Sequence, residues 1–295
     1  RHLTFLTLTY RRMSGPLQDT GFKGGFEFPW PFPKGKPSAF YRAKSYVTMM
    51  AVGFLSKIMF MPGANKLQVV NKDVLMRLVS DRSRPLVTVT NHRCNIDDPL
   101  MWTLQTVREF YRNIDRQRFT LAAHNICFTK QFHTTMFSLG RCVPCVRGEG
   151  IGQKGMDFCL EKMNDDNAWI HVFPEGRVTD KPIRVKWGIG RLILEASRAP
   201  VLLPIWVDGM DKVWPTVKPY YPRFGHTVKI SIGDAIDTSD WINKFKSEDE
   251  ESGRKKVADL VQAALFGLGE RVGSIAPGTL KEIEDNDSSR RKYYP

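Results

Sequence analysis

Cysteine is scarce in this chain: five occur among 295 residues, and the count is odd. Such a count does not suggest a disulfide framework, so we expect reduced thiols. Cys142 and Cys145 have the spacing of a redox or zinc element, with His124 and Cys127 as further conceivable ligands, but no second such pair occurs. Cys142 and Cys145 lie in a strand-like run, where residues three apart point to opposite faces. We therefore expect no bound metal.

Acidic residues are few relative to basic ones: 31 Asp and Glu stand against 44 Lys and Arg, giving a net charge of +13. This excess predicts an anionic partner, either nucleic acid or a membrane with anionic lipid. The basic residues are scattered, and the sequence contains no ribonucleoprotein motif, paired Cys/His finger or basic zipper. We therefore expect an anionic membrane as partner and no nucleic acid, although charge alone leaves a nucleic-acid binder open.

No run of the sequence contains the roughly 20 apolar residues that a membrane-spanning helix needs. The most apolar stretch, 45–61, contains one charge, Lys57, and follows Lys44. It predicts a helix lying in one leaflet, or entering and leaving on the same side, with an ordinary buried helix as the alternative. The side chains that we expect to contact lipid are Val47, Met50, Phe54, Leu55 and Ile58.

The segment before that stretch combines aromatic residues with prolines, which bar regular helix or sheet. Its Trp30 and Phe32 suit a membrane–water interface, with a strap that covers the core as the alternative. Residues 1–25 are basic and contain one acid, Asp19. They are compatible with a targeting segment, and whether they are retained stays open.

Short apolar runs rich in β-branched residues predict strands, and helical patterns separate most of them. The alternation predicts one α/β domain with a central mixed, mostly parallel sheet flanked by helices. Pro204, inside one run, predicts an edge strand or a bulge. Apolar spacing is lost from residue 273, which predicts a disordered tail. The predicted strands are 66–70, 85–90, 119–123, 141–146, 168–173, 200–207 and 226–232.

A histidine and an aspartate follow the strand 85–90. Asp97 can accept a hydrogen bond from one ring nitrogen of His92, which leaves the other nitrogen free to take a proton. The motif demands no serine or cysteine, so the proton can come from a substrate. The alternative is a pair that only ties the loop together. Asp98 and Pro99 suit the N-cap and first position of the helix that follows, which we expect to run to about Val107.

A second polar cluster, Glu175, Gly176 and Arg177, follows the strand 168–173. Two parallel strands would place this loop and the His92 loop at one edge of the sheet. We expect Glu175 to hold a substrate hydroxyl or to orient Arg147, and Arg177 to bind phosphate. The alternative is a turn with a local Glu–Arg pair.

Two glycine-rich segments fail the nucleotide-binding patterns. The loop 147–155 lacks the glycine-lysine-serine/threonine ending of a phosphate-binding loop, and 186–193 lacks the third glycine of a dinucleotide motif. Arg147 nevertheless follows a strand and precedes a helix, which is a position suited to a phosphate anchor. A surface arginine in a solvated turn is the alternative. The glycines at 188 and 190 allow close packing or lipid approach.

Four motifs follow one another along the chain. They are His92 with Asp97, a block from Gly140 to Arg147, Phe-Pro-Glu-Gly at 173–176, and an apolar strand bearing Pro204. In this the chain resembles the glycerolipid acyltransferases. The resemblance implies a glycerol-phosphate-acyltransferase-like fold, with His92 and Asp97 as catalytic residues and Arg147, Glu175, Gly176 and Arg177 as substrate-binding residues. With the composition of the chain, we expect a basic extension (1–27), a membrane-interface segment (28–64), an acyltransferase domain (65–272) and a disordered tail (273–295).

Further stretches resemble one branch of this family, among them 30–33, 126–130, 137–144, 153–158 and 186–193. Residues 93–96 fall at positions that vary. This branch implies a coenzyme-A-independent transacylase that exchanges acyl chains between phospholipids and lysophospholipids and remodels cardiolipin, with monolysocardiolipin as acceptor and a phosphatidylcholine-type donor. It implies no cofactor, and attachment to mitochondrial membranes facing the intermembrane space.

Two other functions remain open from the sequence. An acyl-CoA-dependent lysophospholipid acyltransferase has the same motifs and a thioester donor. A non-catalytic protein that binds anionic membranes would use the basic surface and the stretch 45–61.

Overall fold

The computed structural model describes residues 29–283, in which apolar runs form a twisted sheet and amphipathic segments form the helices around it. The strands are β1 (Lys66–Val70), β2 (Leu86–Thr90), β3 (Phe119–Ala123), β4 (Cys142–Cys145), β5 (Trp169–Val172), β6 (Val201–Asp208), β7 (Thr227–Ile232) and β8 (Ile236–Asp237). The helices are α1 (Ala39–Ile58), α2 (Lys72–Ser80), α3 (Asp97–Met101), α4 (Val107–Arg112), α5 (His124–Cys127), α6 (Gln131–Leu139), α7 (Lys154–Asp166), α8 (Gly188–Leu194), α9 (Met210–Val213), α10 (Ser239–Phe245) and α11 (Glu250–Arg271).

The strand order is β1-β7-β6-β2-β5-β3-β4, and β8 pairs with β6. β6, β2, β5, β3 and β4 run parallel, whereas β7 and β8 pair antiparallel with β6. The sheet is therefore mixed and mostly parallel, as the sequence predicted. The carboxyl ends of β2, β5 and β6 meet at one edge, where loops can place functional side chains together.

Both faces of the sheet are covered, because side chains alternate along each strand. On one face, Val87 and Ile170 join a core built with α7, α8 and α11. On the other face, Leu86 and Trp169 join a core built with α2, α3 and α9. This three-layer arrangement holds the central strands, and hence their carboxyl ends, in fixed positions.

Pro204 lies in a central strand, so the predicted edge position is wrong. β6 pairs with β2 on one side and with β7 and β8 on the other. The Pro204 carbonyl accepts from the Gly233 N–H, between the stretches of β6 that pair with β8 and with β7. The proline therefore lies where the antiparallel ladder is interrupted, and its missing N–H removes no ladder hydrogen bond.

The helix after His92 differs from its prediction. It begins at Asp97, and the N-cap residue is Ile96, so Asp98 is not the N-cap. The predicted continuous helix to residue 107 is also wrong. A 3₁₀ turn at Trp102–Leu104 ends it, and α4 starts anew because Thr106 and Glu109 form a capping box.

The proline-rich segment packs on the core. Phe32 is buried and stacks on Phe158 with ring centroids 4.4 Å apart, while Trp30 meets the same ring edge-on at 5.6 Å. The prediction that Phe32 lies at the membrane interface is therefore wrong, because aromatic neighbours in α7 and β3 offer its ring an apolar site. Trp30 is half-buried, and for this residue the membrane interface stays a prediction. For Phe32, the strap alternative is confirmed.

The predicted tail starts too early. Ile275, Leu280 and Ile283 pack against the core cluster of α7, α8 and α11, because their apolar side chains return the chain to it after α11. Residues 284–295 lie outside the described residues, as does the predicted basic extension at 1–27.

Candidate active site

The histidine and aspartate that follow β2 form the predicted pair. The distance from His92 Nδ1 to Asp97 Oδ2 is 2.9 Å. Within residues 29–283, no hydrogen bond to His92 Nε2 is present, and the side chain is 18% exposed. Nδ1 is thus held by a carboxylate, and Nε2 is available to exchange a proton.

Asp97 is fully enclosed, and its Oδ2 accepts three hydrogen bonds. Besides His92 Nδ1, the backbone N–H groups of Arg93 and Cys94 donate to it at 2.7 and 2.8 Å. Burial raises the pKa of Asp97, and the hydrogen bonds from His92 and the backbone oppose that shift. Asp97 therefore holds both the loop backbone and the His92 ring. The alternative, a pair that only ties the loop together, accounts for the backbone hydrogen bonds but not for the one to the ring.

Glu175 lies beside His92, as two parallel neighbouring strands predict. Its Oε2 accepts from the His92 backbone N–H at 2.8 Å, and its Oε1 has no hydrogen-bond partner among the described residues. Burial raises the pKa of this carboxyl to about 7, against opposing contributions from the His92 N–H and from Arg93. Glu175 therefore sets the backbone position of His92.

The loops after β2 and β5 are joined by two more hydrogen bonds. The Thr179 N–H donates to the His92 carbonyl at 3.0 Å, and Arg93 Nη1 donates to the Thr179 carbonyl at 2.8 Å. Neither Arg93 nor Thr179 was identified from the sequence. Arg93 stands at a variable motif position, and Thr179 follows the Glu175 motif without a pattern of its own.

A column of rings supports His92 from within. Phe173 stacks on the His92 ring at 4.2 Å, His171 meets Phe173 edge-on at 4.6 Å, and Trp102 meets His171 at 4.9 Å. Burial lowers the pKa of His171 to about 3, so this inner histidine is neutral. The alternation of β5, which points His171 inwards next to Phe173, is the only sequence signal for this column.

An apolar groove of about 290 Å³ lies between α1, α3 and α6. Its walls include Met50, Phe54, Trp102 and Phe137, and its polar end holds the ion pair between Asp98 and Arg118. The Arg118 guanidinium opposes the effect of burial and holds the pKa of Asp98 below its usual range. Arg118 was missed because nothing in the sequence links it to an aspartate 20 residues away.

Within the described part of the chain, none of the three remaining predicted substrate-binding residues forms a hydrogen bond with His92. Arg147 and Arg177 are exposed. β3 separates the strands that precede Arg147 and Glu175, and Glu175 contacts the His92 backbone, so the prediction that Glu175 orients Arg147 is wrong. Gly176 has a φ of +73° in the turn that its N–H closes on the Phe173 carbonyl, a conformation that favours glycine.

Helix α1 exposes a continuous apolar stripe. Val47, Phe54, Leu55 and Ile58 are exposed, whereas Met50 is half-buried in the groove wall. The buried residues of α1 are Ser45, Met49 and Ser56, so the buried-helix alternative is wrong. Among residues 29–283, no helix combines the length and apolarity required to cross a membrane.

The cysteines are free thiols. Burial raises the pKa of Cys142 and Cys145, so both are protonated at neutral pH. In the part of the chain that the structure describes, no cluster of three or more His, Cys, Asp or Glu side chains is suited to hold a metal ion.

Residues 66–208 match the acyltransferase family. The chain is 39% identical to the tafazzin of Drosophila melanogaster over 256 residues, which cover 84% of this chain and 67% of that protein. It is 37% identical to the N-acylphosphatidylethanolamine synthase of Arabidopsis thaliana over 185 residues, which cover 59% and 64%. The crystal structure of the 1-acyl-sn-glycerophosphate acyltransferase of Thermotoga maritima shares the fold, with a TM-score of 0.52 at 17% identity, over 79% of this chain and 83% of that one.

The family match and the similarity to the Drosophila protein identify the enzyme class: the protein is an acyltransferase that acts on lipids. The similarity to the Drosophila protein covers most of the chain and identifies the particular family within this class. The chain belongs to the tafazzin family.

Proposed function

We propose that this acyltransferase is a coenzyme-A-independent phospholipid–lysophospholipid transacylase that remodels cardiolipin. The observation that carries the chemistry is the His92–Asp97 pair, with Nδ1 held at 2.9 Å and no hydrogen bond to Nε2 from the residues that the structure describes. The membership of the tafazzin family supports the lipid substrates. Monolysocardiolipin is the proposed acyl acceptor and a phosphatidylcholine-type lipid the proposed donor.

In the proposed reaction, His92 Nε2 takes the proton from the hydroxyl of the lysophospholipid. The oxygen attacks the acyl carbonyl of the donor lipid, a new ester bond forms, and the old ester bond breaks. His92 then returns its proton to the leaving hydroxyl. Asp97 stabilises the imidazolium between these steps, and such general-base catalysis contributes about 10²–10⁴-fold to the rate. The same residues serve both directions, so the lipid composition decides the outcome.

The apolar groove supports the binding of an acyl chain. Its walls are aliphatic and aromatic, and Trp102 in its wall is linked to His92 through the rings of His171 and Phe173. We assign the exposed stripe of α1, namely Val47, Phe54, Leu55 and Ile58, to lipid contact. Arg147 and Arg177, which are exposed, remain our candidates for binding phosphate.

The decisive experiment measures acyl transfer from labelled phosphatidylcholine to monolysocardiolipin in liposomes without coenzyme A. We expect transfer by the natural chain and a loss of about 10²–10⁴-fold in His92→Ala. The control His226→Ala, which removes a histidine outside the pair, retains the rate. Transfer that starts only when acyl-CoA is added would replace this proposal with an acyl-CoA-dependent enzyme. Binding to liposomes without transfer under either condition would indicate a non-catalytic membrane protein.

A second acceptor is supported by the 37% identity to the Arabidopsis N-acylphosphatidylethanolamine synthase. The same base can take a proton from an amine as the amine attacks the ester. Replacing monolysocardiolipin with phosphatidylethanolamine in the assay tests this candidate. A labelled acyl chain that stays attached to the headgroup fragment after mild alkaline hydrolysis, which cleaves esters and leaves amides intact, would establish N-acylation.

The location also remains a proposal. We propose a peripheral or monotopic protein of mitochondrial membranes that faces the intermembrane space, on the basis of the family resemblance and the net charge of +13, which suits cardiolipin. Protease protection of the full-length protein in isolated mitochondria, with and without rupture of the outer membrane, tests it. Protection that persists after rupture would contradict this location.

A further inference from the structure

The segment between α9 and β7, residues 214–226, exposes large apolar side chains, and we call it the aromatic loop. Prolines at 215, 219 and 222 restrict its backbone, and it forms neither helix nor strand. Four of its apolar side chains are more than half exposed, namely Val217, Tyr220, Tyr221 and Phe224. Large apolar side chains gathered in one exposed loop mark a surface that meets a partner.

Hydrogen bonds hold the aromatic loop against the turn that follows α1. The side-chain amide of Asn65 donates to the Arg223 carbonyl at 3.0 Å. The Gly225 N–H donates to the Ala64 carbonyl at 2.8 Å. At the start of the loop, the Arg223 N–H donates to the Val213 carbonyl of α9, also at 2.8 Å. The loop therefore has a defined position beside the end of α1.

The aromatic loop lies at the edge of the sheet that carries His92. It follows β6, whose carboxyl end lies beside that of β2. Asn91, directly before His92, donates to the Val207 carbonyl and accepts from the Val207 N–H, each at 2.8 Å. The turn after α1 reaches the same edge, because Lys66 pairs with Thr227 and β7 runs antiparallel to β6. The loop, the end of α1 and His92 therefore share one edge of the sheet.

The charge of this region favours an anionic partner. Residues 212–233 contain no Asp or Glu, and their basic residues are Lys212, Lys218, Arg223 and Lys229. Each Lys or Arg close to an anionic bilayer adds to the attraction, and tyrosine is typical of the boundary between lipid and water. A bilayer also fits the enzyme class, because the lipids on which an acyltransferase acts are held in bilayers.

We propose that the aromatic loop is a second membrane-contact element beside the exposed stripe of α1, with Tyr220, Tyr221 and Phe224 at the surface of an anionic bilayer. Arg223 is attracted there by the negative charge of the lipid. Two contacts, one on α1 and one on the loop, turn the His92 edge towards the bilayer. This role rests on the proposed function, in which His92 reacts with membrane lipids. Membrane binding is measured without acyl transfer, so a chain that fails to transfer acyl groups would leave the role intact.

The test measures binding of the full chain and its variants to vesicles by co-sedimentation. One vesicle is phosphatidylcholine alone, and the other contains about 30 mol% phosphatidylglycerol in addition. We expect Tyr221→Ser and Phe224→Ser each to weaken binding to both vesicles about fivefold, because each removes apolar contact. Arg223→Gln weakens binding about fivefold only where phosphatidylglycerol is present. The replaced side chains are exposed, so the thermal unfolding temperature is unchanged.

Matched controls separate the loop from general effects of surface composition. Tyr221→Phe keeps the ring and retains binding. Tyr111→Ser removes a tyrosine that is 67% exposed at the end of α4, near the opposite edge, where Arg116 donates to the Arg84 carbonyl before β2. Arg198→Gln removes an exposed arginine that precedes β6 at that edge. Both of these variants retain the binding of the natural chain.

Three results would overturn the proposal. Binding by Tyr221→Ser and Phe224→Ser that equals that of the natural chain would leave the loop as a surface for a protein partner. Equal losses in Tyr221→Ser and Tyr111→Ser would show that the effect does not belong to the loop. A loss in Arg223→Gln that is the same on both vesicles would contradict the attraction to anionic lipid.

Discussion

At the scale of the residue, the function of His92 depends on what surrounds it. Asp97 holds Nδ1, Phe173 stacks on the ring, and Glu175 and Thr179 hold the backbone on both sides. The ring therefore has one orientation, and its proton-accepting nitrogen is the one that faces outward. This preorganisation distinguishes the pair from a histidine and an aspartate that merely lie close together.

Replacing Asp97 with asparagine tests this arrangement. The amide does not supply the negative charge that stabilises an imidazolium, and it allows the wrong tautomer of His92. We expect Asp97→Asn to lower kcat for acyl transfer by about 10³–10⁴-fold, with vesicle binding unchanged. Asp208→Asn, at the end of the neighbouring strand β6, serves as control. A variant within tenfold of the natural rate would remove Asp97 from the mechanism.

Glu175 makes folding stability depend on pH. Burial raises its pKa to about 7 from an ordinary 4.5, so between these values the folded chain keeps a proton that the unfolded chain releases. Its contribution therefore lowers the free energy of unfolding as the pH rises through this window, by about 3 kcal/mol in all. We expect the free energy of unfolding of Glu175→Gln not to fall in this way as the pH rises. Urea unfolding at pH 5 and pH 8 measures the free energy for both proteins, and an equal change in the two would contradict the prediction.

At the scale of the element, the strap and α1 have opposite roles despite similar apolar composition. Phe32 fills a site between Phe158 and Phe119, whereas Phe54 is 66% exposed on α1. Burial gives Phe32 a role in stability, whereas the exposure of Phe54 supports the proposed contact of α1 with lipid.

This contrast predicts opposite results for two substitutions. Phe32→Ala should lower the free energy of unfolding by about 3 kcal/mol and leave the affinity for vesicles unchanged. Phe54→Ser should lower the affinity for vesicles and leave the stability within about 0.5 kcal/mol. Thermal unfolding and co-sedimentation, run on both variants, measure the two effects. Loss of stability in both variants would indicate that Phe54 contributes to the packing of the core.

The glycines of α8 provide a matched pair. A Cβ at Gly190 would lie 2.1 Å from the Arg254 carbonyl oxygen on α11, whereas a Cβ at Gly188 would make ordinary contacts at 3.5 Å or more. We expect Gly190→Ala to destabilise the fold by about 2 kcal/mol or more, because α8 and α11 must separate. Gly188→Ala should be nearly neutral. Equal unfolding temperatures for the two variants would contradict this explanation.

The sequence predicts these elements well where the signal is local. The strands β2, β5 and β6 are buried, mostly apolar runs. Parallel neighbours at the carboxyl edge bring Glu175 to His92 as predicted. Long-range pairs are different, because the sequence does not state the spatial order of strands. The sequence therefore suggested that Glu175 orients Arg147, although β3 lies between the strands that precede them. It gave no indication of the ion pair between Arg118 and Asp98.

At the scale of the whole molecule, the net charge of +13 and the apolar stripe of α1 should act together on a membrane. Salt screens the attraction of the net charge to anionic lipid and leaves the apolar contact of the stripe unchanged. We expect binding to anionic vesicles to weaken about tenfold between about 0.1 and 0.5 M salt, and the weaker binding to phosphatidylcholine vesicles to stay constant. Co-sedimentation across a salt series measures both, and a salt-independent affinity for anionic vesicles would exclude the electrostatic contribution.

The position of β1 in the sheet has a consequence for the newly made chain. Among the strands of residues 29–283, β1 pairs only with β7, and the hydrogen bond between Asn65 and the His226 N–H beside that pair spans 161 residues. At the usual speed of synthesis, roughly 5–20 residues per second, β1 leaves the ribosome about 10–30 s before its partner strand exists. During that interval its backbone edge and the apolar side chains of α1 are both uncovered. This protein is therefore most vulnerable to aggregation while it is being made, and a chaperone or an early encounter with a bilayer would serve it most at that stage.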